Sequence, residues 1–288
     1  MKNCEDESGG GSSGSTSSPA LPSTSSKINV NPSAVPVANQ IGGQLIYYNN
    51  QFDAMLVKGT GRVGASISPS NGEGTFFGPI GFETVNEFAN RMTEGTEYSS
   101  QSITLSGSFA AFSNRRADLD KFEFMLGASI KYNKVSHLLW PGAGISGIIG
   151  PLTYGYSISG AQYIFNSGTA MPFDLQYSYD TSSLGVYLHS LALDYSLTRT
   201  FYQGSPTALV SLYTISLLLP RWILTASYRS EDSDRPAYNF ALNTLANQEV
   251  KTTYFAGVQF AANKHILAEV FYNYYLLQDF SLGLTLFF

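Results

Sequence analysis

The chain has 288 residues, of which 13% are charged and 14% are aromatic, and its formal net charge is −5. The negative charge and the absence of a basic run argue against nucleic acid as a partner. No run of about 18 apolar residues is present, which excludes a transmembrane helix, and a single cysteine excludes an internal disulfide. A barrel that crosses a membrane with strands fits these numbers, because alternate residues then face a polar interior.

Residues 1–28 are rich in Ser, Gly, Thr and Pro and contain an acidic cluster. They cannot bury enough apolar surface to fold alone, so we predict a disordered tail. Cys4 is followed by acidic residues and a Gly/Ser-rich run, which resembles the mature end of a lipoprotein. Lipidation of Cys4 is one interpretation and an accidental cysteine is the other, because no apolar signal segment precedes it.

Residues 29–40 are more apolar and contain Pro32 and Pro36. Two interpretations have equal weight at this point. The segment either lies inside the mouth of a barrel as a short plug, or it forms a periplasmic linker.

The remainder, residues 41–288, has the pattern of a single all-β domain. Several segments alternate apolar and polar residues with period two, clearly so in 120–133, 221–231 and 265–276, whereas 207–218 is apolar on both faces. Many are near the 9–11 residues that a tilted spanning strand needs. The predicted strands are 42–49, 52–59, 62–78, 100–112, 120–133, 138–149, 152–165, 170–180, 184–197, 207–218, 221–231, 251–261, 265–276 and 279–288. We therefore predict a transmembrane antiparallel outer-membrane β-barrel of fourteen strands, or of twelve if one hairpin is lost.

The connections alternate in length along the chain. Short ones are predicted at 60–61, 114–119, 150–151, 181–183, 220 and 262–264. Longer ones are predicted at 79–99, 198–206 and 231–250. If the first strand starts in the periplasm, all short connections fall on the periplasmic side, as in bacterial outer-membrane barrels, and both termini are periplasmic.

The last strand presents Phe280, Leu282, Leu284, Leu286 and Phe288 on one face. An exposed apolar strand at the edge of a soluble sheet invites aggregation. Closing it into a barrel removes that edge, and lipid then covers the apolar face. We predict that segment 279–288 pairs with segment 42–49 to close the barrel.

The third predicted strand is interrupted. It runs regularly from Val63 to Ser68, and Pro69 and Gly72 then break the pattern. Proline cannot donate to the ladder and glycine weakens it. A bulge or a gap in the wall is one interpretation, and an ordinary turn followed by a ragged strand is the other.

The search for catalytic residues gives no candidate. His189 and Ser190 are neighbours, but neighbours in a strand point to opposite faces, so they cannot form a nucleophile and base pair. His137 and His265 fall near strand ends or turns, and no metal-ligand spacing is present. We expect no enzyme activity, cofactor or metal.

Five ionisable residues are predicted to face the barrel interior. They could hold a ligand headgroup or cross-link the wall, and the structural role is favoured. They are Glu123, Lys131, Asp194, Arg229 and Glu269.

The sequence resembles the long-chain fatty-acid transporter family of outer-membrane proteins (FadL-like), including its secretion-associated relatives. The resemblance rests on Asn31-Pro32-Ser33-Ala34 before the first strand, the broken third strand, the strand count and terminal Phe288. Ser33 replaces an alanine of the family motif, and the chain is shorter than typical transporters. The resemblance implies a lumenal N-terminal plug that shifts when a hydrophobic ligand enters from outside. The ligand then leaves sideways through the gap in the wall near Pro69–Gly74.

The leading functional prediction is uptake or binding of hydrophobic, fatty-acid-like molecules in the bacterial outer membrane. The candidate ligand or gating residues are Asn31, Pro32, Ser33, Pro69, Gly72, Arg229, Glu123, Lys131 and Glu269. The alternative is a non-transporting scaffold or anchor for a partner protein. A general diffusion porin is disfavoured because the predicted inward faces carry few charges. The expected partners are outer-membrane lipid, a hydrophobic ligand and a partner protein.

Overall fold

The computed structural model describes residues 31–48, 51–71, 101–114, 122–133, 138–160, 162–163, 177–202, 205–232, 237–239, 244–246, 251–263, 265–273 and 280–288. Fourteen antiparallel strands form the barrel. They are β1 (Ile41–Tyr48), β2 (Gln51–Gly59), β3 (Val63–Asn71), β4 (Gln101–Asn114), β5 (Phe122–Asn133), β6 (Leu138–Ile149), β7 (Leu152–Gly160), β8 (Tyr177–Leu188), β9 (Leu191–Tyr202), β10 (Ser205–Leu218), β11 (Trp222–Asp232), β12 (Lys251–Asn263), β13 (Ile266–Asn273) and β14 (Phe280–Phe287).

Three short strands and one turn of helix accompany the barrel. Gln162–Tyr163 pairs with the start of β6, and Ala237–Asn239 pairs with Thr244–Ala246 between β11 and β12. A 3-10 helix spans Pro32–Ala34. Among the described residues, no helix has the length and apolar character needed to cross a membrane.

The first and last strands close the barrel. Their register runs from Gly42 opposite Phe287 to Tyr48 opposite Ser281. The N–H of Phe288 also donates to the carbonyl of Ile41 at 2.8 Å. Every other barrel strand pairs with its neighbours in the chain, including β5 with β6. The predictions of fourteen strands and of closure by the last strand are confirmed.

The two ends of the barrel differ in their connections. We call the end that contains Ile41 and Phe288 the terminal end, and the opposite end the loop end. Tight turns at Gly150–Pro151 and His189–Ser190 join strands at the terminal end, as do the short segments Thr60–Arg62 and Leu219–Arg221. Longer joining sequences, such as 72–100, connect strands at the loop end.

One pair of strand boundaries was predicted wrongly. The predicted strands 170–180 and 184–197, joined at 181–183, are instead β8 and β9, joined by a turn at His189–Ser190. The polar run that suggested a turn lies within β8, where Thr181 and Ser183 are buried on the inward face. Hydroxyl side chains suit a polar barrel interior, so they do not break the strand. The predicted long connection 198–206 is also wrong, because only residues 203–204 separate β9 from β10.

The outward face is an apolar belt. Exposed apolar side chains alternate with buried inward ones, and β10 resolves in this way, with Tyr213 and Ile215 outward and Leu212 and Thr214 inward. Lipid covers such a face in a membrane, whereas exposing so large an apolar surface to water is unfavourable. The protein therefore has the architecture of a transmembrane outer-membrane barrel.

Aromatic side chains mark two levels of the belt. Tyr195, Tyr213, Tyr228 and Tyr254 lie directly opposite one another across β9–β12. Their consecutive ring centroids are 4.9, 6.2 and 5.3 Å apart. Nearer the terminal end, Trp222 packs on Phe260 with centroids 4.4 Å apart. Amphipathic rings are favoured where the hydrocarbon meets the headgroups.

Candidate functional site

Residues 31–37, which we call the inner segment, lie inside the terminal half of the barrel. All seven are buried, and the exposed fractions of Ser33, Ala34 and Val35 are 0%. The chain reaches the turn between β2 and β3, where the N–H of Gly61 donates to the carbonyl of Val37 at 2.6 Å. It then enters β1. The described residues 31–37 are therefore enclosed by the barrel wall near the terminal end.

The fold of the inner segment follows from its sequence. Asn31 caps the short helix, and its Oδ1 accepts hydrogen bonds from Ser33 N at 3.1 Å and Ser33 Oγ at 2.7 Å. Pro32 occupies the first helical position, where no N–H donor is required. The Asn-Pro-Ser sequence therefore satisfies its own polar groups, which is a condition for burying it inside the barrel.

Hydrogen bonds tie the inner segment to the wall on one side. Asn31 Nδ2 donates to the carbonyl of Ile145 at 3.1 Å. Ser33 Oγ lies 2.8 Å from Ser146 Oγ. On β4, Ser108 Oγ donates to the carbonyl of Val35 at 2.7 Å. The contacts with β4 and β6 come from inward side chains and one wall carbonyl, so no continuous strand ladder holds the inner segment there.

Glycines in the wall make room for this contact. We call Gly59, Gly64, Gly127 and Gly144 the glycine groove. A Cβ atom on Gly127 would lie 2.1 Å from Ser33 N, and one on Gly144 would lie 2.0 Å from Asn31 Oδ1. The corresponding distances are 2.3 Å from Gly64 to Pro36 O and 1.9 Å from Gly59 to Ala38 O. No side chain fits at these positions while the inner segment is docked.

Apolar packing completes the docking. Val35 packs with Met55 and Val57, and Val37 packs with Ala110 and Met125. Burying one valine stabilises the docked state by about 1.5–3 kcal/mol. The two valines therefore contribute more than any single hydrogen bond of the segment, each of which is worth about 1 kcal/mol.

A buried polar network occupies the opposite wall. Gln44 Nε2 donates to Glu269 Oε1 at 2.9 Å and to Thr285 Oγ1 at 3.1 Å. Gln259 Nε2 donates to Glu269 Oε2 at 2.9 Å. A buried carboxylate is costly unless it is hydrogen-bonded, and the two amides supply those bonds. The network joins β12, β13, β14 and β1, so it crosses the seam where the barrel closes.

The remaining inward wall is rich in hydroxyl groups. Hydroxyl pairs join neighbouring strands: Thr181 and Thr198 are 3.0 Å apart, and Thr214 and Ser227 are 2.9 Å apart. Apolar side chains also face inward here, including Val210, whose exposed fraction is 4%. The wall between β8 and β11 is thus polar, largely uncharged and partly apolar.

The structure brings only some of the predicted site residues together. Asn31, Pro32 and Ser33 form one unit with Ser108 and Ser146, two residues that sequence reasoning missed. Nothing in the local sequence marks those serines, because their significance depends on which strand faces the inner segment.

The predicted ionisable residues are dispersed around the wall. Glu123 is buried on the inward face and accepts a hydrogen bond from Ser113 Oγ at 3.4 Å. Lys131 lies at the loop end of the same strand. Asp194 faces inward beside Tyr187, whose hydroxyl donates to it at 3.4 Å. Glu269 belongs to the network on the opposite wall.

The other predicted positions give less information. Arg229 lies on β11, opposite Thr253 in the register. Gly72 and Cys4 lie outside the described residues, as do the tail 1–28 and His137. Among the described residues, no group of three or more His, Cys, Asp or Glu could hold a metal ion.

Pro69 interrupts the hydrogen bonding of β3 without breaking the strand. β3 stays paired with β4, with Pro69 opposite Ile103. Toward β2, the pairs Leu56–Ile67 and Asp53–Ser70 are formed, but the two positions between them are not paired. The register is the same on both sides of this gap. The described part of β3 therefore contains neither a bulge nor a turn at Pro69, and the wall has a weakened ladder there instead.

A side-chain hydrogen bond compensates for part of this loss. Ser68 Oγ donates to the carbonyl of Ala54 at 3.2 Å, and Ala54 is the residue opposite Pro69. Proline has no N–H to offer that carbonyl.

The geometric argument about the His189–Ser190 pair was also wrong. Both residues lie in the turn after β8 and are exposed, and His189 has a φ of 46°. They do not occupy opposite faces of a strand, because the strand ends at Leu188. His265 lies in the turn before β13, as predicted, with Nδ1 2.9 Å from the carbonyl of Phe287.

No protein-family model matches the sequence, and no curated protein matches it. Solved outer-membrane barrels are similar in structure at low identity. The toluene transporter TodX of Pseudomonas putida is 11% identical, covers 94% of this chain and 95% of its own, and gives a TM-score of 0.48. Omp33 of Acinetobacter baumannii is 8% identical over 86% and 96%, with a TM-score of 0.47. OccK11 of Pseudomonas aeruginosa is 11% identical over 86% and 93%, with a TM-score of 0.41.

Proposed function

We propose that this outer-membrane barrel admits or binds small molecules and that the inner segment is its movable closure. The supporting observation is the docking of Asn31–Val37 inside the barrel by side-chain hydrogen bonds and a glycine groove. A segment held in this way can leave without breaking a barrel strand. Residues 31–37 belong to no strand of the barrel, and only the residues that follow them continue into β1.

The strength of the docking fits a closure that moves. A few hydrogen bonds of about 1 kcal/mol each and two buried valines give a docked state that is favoured by several kcal/mol. A ligand can shift such an equilibrium if it binds the open state about 10⁴-fold more tightly, which corresponds to about 5.5 kcal/mol. A covalent link or a full strand ladder would hold the segment too strongly for the binding of a ligand to release it.

We further propose a hydrophobic or fatty-acid-like ligand with a lateral exit between β2 and β3. The ligand class comes from the family resemblance. Inward apolar residues such as Val210 and Leu212 could contact an acyl chain, and the hydroxyl wall could contact a polar headgroup. The exit is motivated by the lost pairing beside Pro69, where two strands separate at lower cost than at an intact ladder.

In this proposal the terminal end faces the periplasm. The short connections at that end are typical of the periplasmic side of bacterial barrels. Both ends of the barrel domain, Ile41 and Phe288, would then be periplasmic, and ligands would arrive from the loop end.

The role of the inner segment as a movable closure, which we call the gate, is tested by removing the segment and by displacing it. Deletion of residues 31–37 should raise ion conductance in planar bilayers and the uptake of a fluorescent fatty acid by proteoliposomes. Gly127→Ala should do the same without shortening the chain, because its Cβ would collide with Ser33. Gly107→Ala is the matched control, since the nearest atom to its Cβ would be Gly64 O at 3.6 Å. Unchanged conductance in the deletion and in Gly127→Ala would exclude the gate.

The ligand class has a separate test. Proteoliposomes that contain the deletion variant should take up the fatty acid faster than arabinose of matched concentration, relative to empty vesicles. Uptake of arabinose without uptake of the fatty acid would show that the proposed hydrophobic class of ligand is wrong, without contradicting the proposal of a gate.

The alternative proposal is a non-transporting scaffold or anchor. The buried network around Glu269 favours it, because a sealed polar wall stabilises a barrel without serving a ligand. A scaffold should conduct no more after the inner segment is deleted, and its loss in cells should affect a partner protein rather than uptake of a compound.

A further inference from the structure

Exposed basic side chains lie at the terminal end of the barrel. Lys58, Arg62 and Arg221 are all exposed, and none of them forms an ion pair with another described residue. We call these three residues the basic collar. At this end, the Asp and Glu side chains that the structure describes, such as Glu123 and Asp194, face the barrel interior.

The joining sequences show the same charge asymmetry. The segments that join strands at the terminal end carry six basic residues against two acidic ones: Arg62, Arg115, Arg116, Lys121, Arg221 and Lys264 against Asp118 and Asp120. Those at the loop end carry nine acidic residues against three basic ones: Glu73, Glu83, Glu87, Glu94, Glu97, Asp174, Asp234, Glu249 and Asp279 against Arg91, Lys134 and Arg235. The chain is negative overall, so the positive charge at one end is a local property.

Each collar residue borders the apolar belt. Arg221 precedes Trp222, whose exposed fraction is 45%, and Arg62 precedes Val63 at 49%. Lys58 faces outward two residues after Leu56, which is 60% exposed. These cations therefore lie at the boundary between the hydrocarbon core and the lipid headgroups. Long basic side chains extend from an apolar surface toward the polar headgroup layer.

The collar residues are also spread around the rim. Lys58 and Arg62 lie at β2 and β3, whereas Arg221 lies between β10 and β11, on the other side of the closed barrel. A compact ligand cannot contact both groups, but a lipid leaflet touches the whole perimeter. Backbone hydrogen bonds anchor two of the collar residues to neighbouring strands, since the carbonyls of Arg62 and Arg221 accept from Ala110 N and Ala261 N at 2.8 and 2.9 Å.

We propose that the basic collar binds the headgroups of anionic phospholipids, of the phosphatidylglycerol type, in the leaflet at the terminal end. The phosphate of each headgroup accepts hydrogen bonds from a collar cation while its acyl chains cover the adjacent belt. This interaction anchors the barrel at a fixed depth. It is independent of any gate, so it stands whether or not the inner segment moves.

The test compares lipids that differ only in their headgroup. The full-length protein in detergent micelles is titrated with phosphatidylglycerol or phosphatidylcholine of the same acyl chains. Bound lipids are counted by native mass spectrometry, and the midpoint of thermal unfolding is measured in parallel. The wild-type protein should retain phosphatidylglycerol preferentially, and sodium chloride should weaken the preference.

Two matched variants give the decisive comparison. K58Q/R62Q/R221Q removes the three charges, and K58R/R62K/R221K keeps them. The charge-keeping variant should behave like the wild type. The neutral variant should lose about five-fold in affinity for each cation that a lipid contacts, which corresponds to about 1 kcal/mol. The corresponding single substitutions report the same loss one site at a time if the triple variant folds poorly.

Three outcomes would overturn the proposal. The wild type could show no preference for phosphatidylglycerol, or the neutral variant could keep the preference. A third outcome is binding of polyglutamate, lost in the neutral variant, without any lipid preference. That result would assign the collar to an acidic protein partner instead.

Discussion

Gln44 Nε2 donates a hydrogen bond to Glu269 Oε1 at 2.9 Å, although 225 residues separate them and β14 lies between their strands. Glu269 is 2% exposed and Gln44 is 5% exposed. The bond spans the seam at which the first and last strands meet. It therefore forms only when the barrel is closed, and it stabilises the closed state specifically.

Replacing Glu269 with alanine should lower the free energy of unfolding by about 1–3 kcal/mol, because Gln44 and Gln259 then lose a buried acceptor. Urea unfolding in micelles, followed by tryptophan fluorescence, measures the change. Gln44→Ala should cost less in the Glu269→Ala background than in the wild type, with a coupling energy of about 0.5–3 kcal/mol. Equal costs in the two backgrounds would show that the two side chains do not interact.

Ser108→Ala should open the barrel more often, because Ser108 Oγ donates to the carbonyl of Val35 in the inner segment. A lost hydrogen bond of about 0.5–1.5 kcal/mol corresponds to a two- to twelve-fold rise in opening. Single-channel recording in planar bilayers counts the openings. Ser106→Ala is the control, since Ser106 is buried on the same strand and its Oγ has no hydrogen-bond partner within the described part of the chain. A similar rise in both variants would argue against a specific role for Ser108.

Pro69→Ala should slow uptake of a hydrophobic compound if the exit lies between β2 and β3. Alanine supplies the N–H that proline lacks, and this donor can restore pairing with Ala54. Ion conductance through the barrel should stay the same, because the lumen is not altered. Fatty-acid uptake by proteoliposomes and conductance are measured on the same preparation. Unchanged uptake would place the exit elsewhere.

Leu224→Arg should destabilise the barrel by about 2–4 kcal/mol in a bilayer, whereas Ser230→Arg on the same strand should cost about 0–1 kcal/mol. Leu224 lies outward between Trp222 and Tyr228, within the apolar belt. Ser230 lies outward beyond the row of tyrosines, toward the loop end. Unfolding by guanidinium in liposomes gives both values. Equal costs would contradict the assignment of Tyr228 to the membrane interface.

Period-two alternation predicted the architecture well, because a barrel wall separates lipid from a lumen at every strand. The outward face of β14 and the closure with β1 followed from an apolar strand that needs a partner on each edge. The boundary between β8 and β9 could not be predicted from the sequence. The hydroxyl residues of β8 have the composition of a turn, but they lie within a strand and face the barrel interior. The irregularity at Pro69 was located correctly, but β3 is not broken there, and the sequence does not show that Ser68 supplies a substitute hydrogen bond.

The amino-acid sequence by itself determined the class of fold, the number of strands and the faces that meet lipid, because these depend on local alternation and on the need to satisfy every backbone group in a membrane. Only the tertiary structure decided that Asn31–Val37 lies inside the barrel and that Ser108, Ser146 and the glycine groove receive it. It also decided that Gln44, Gln259 and Glu269 meet across the seam. These contacts depend on which strands become neighbours around a closed wall. Residues as distant in the chain as Ser33 and Ser146, or Gln44 and Glu269, leave no mark on each other's local sequence.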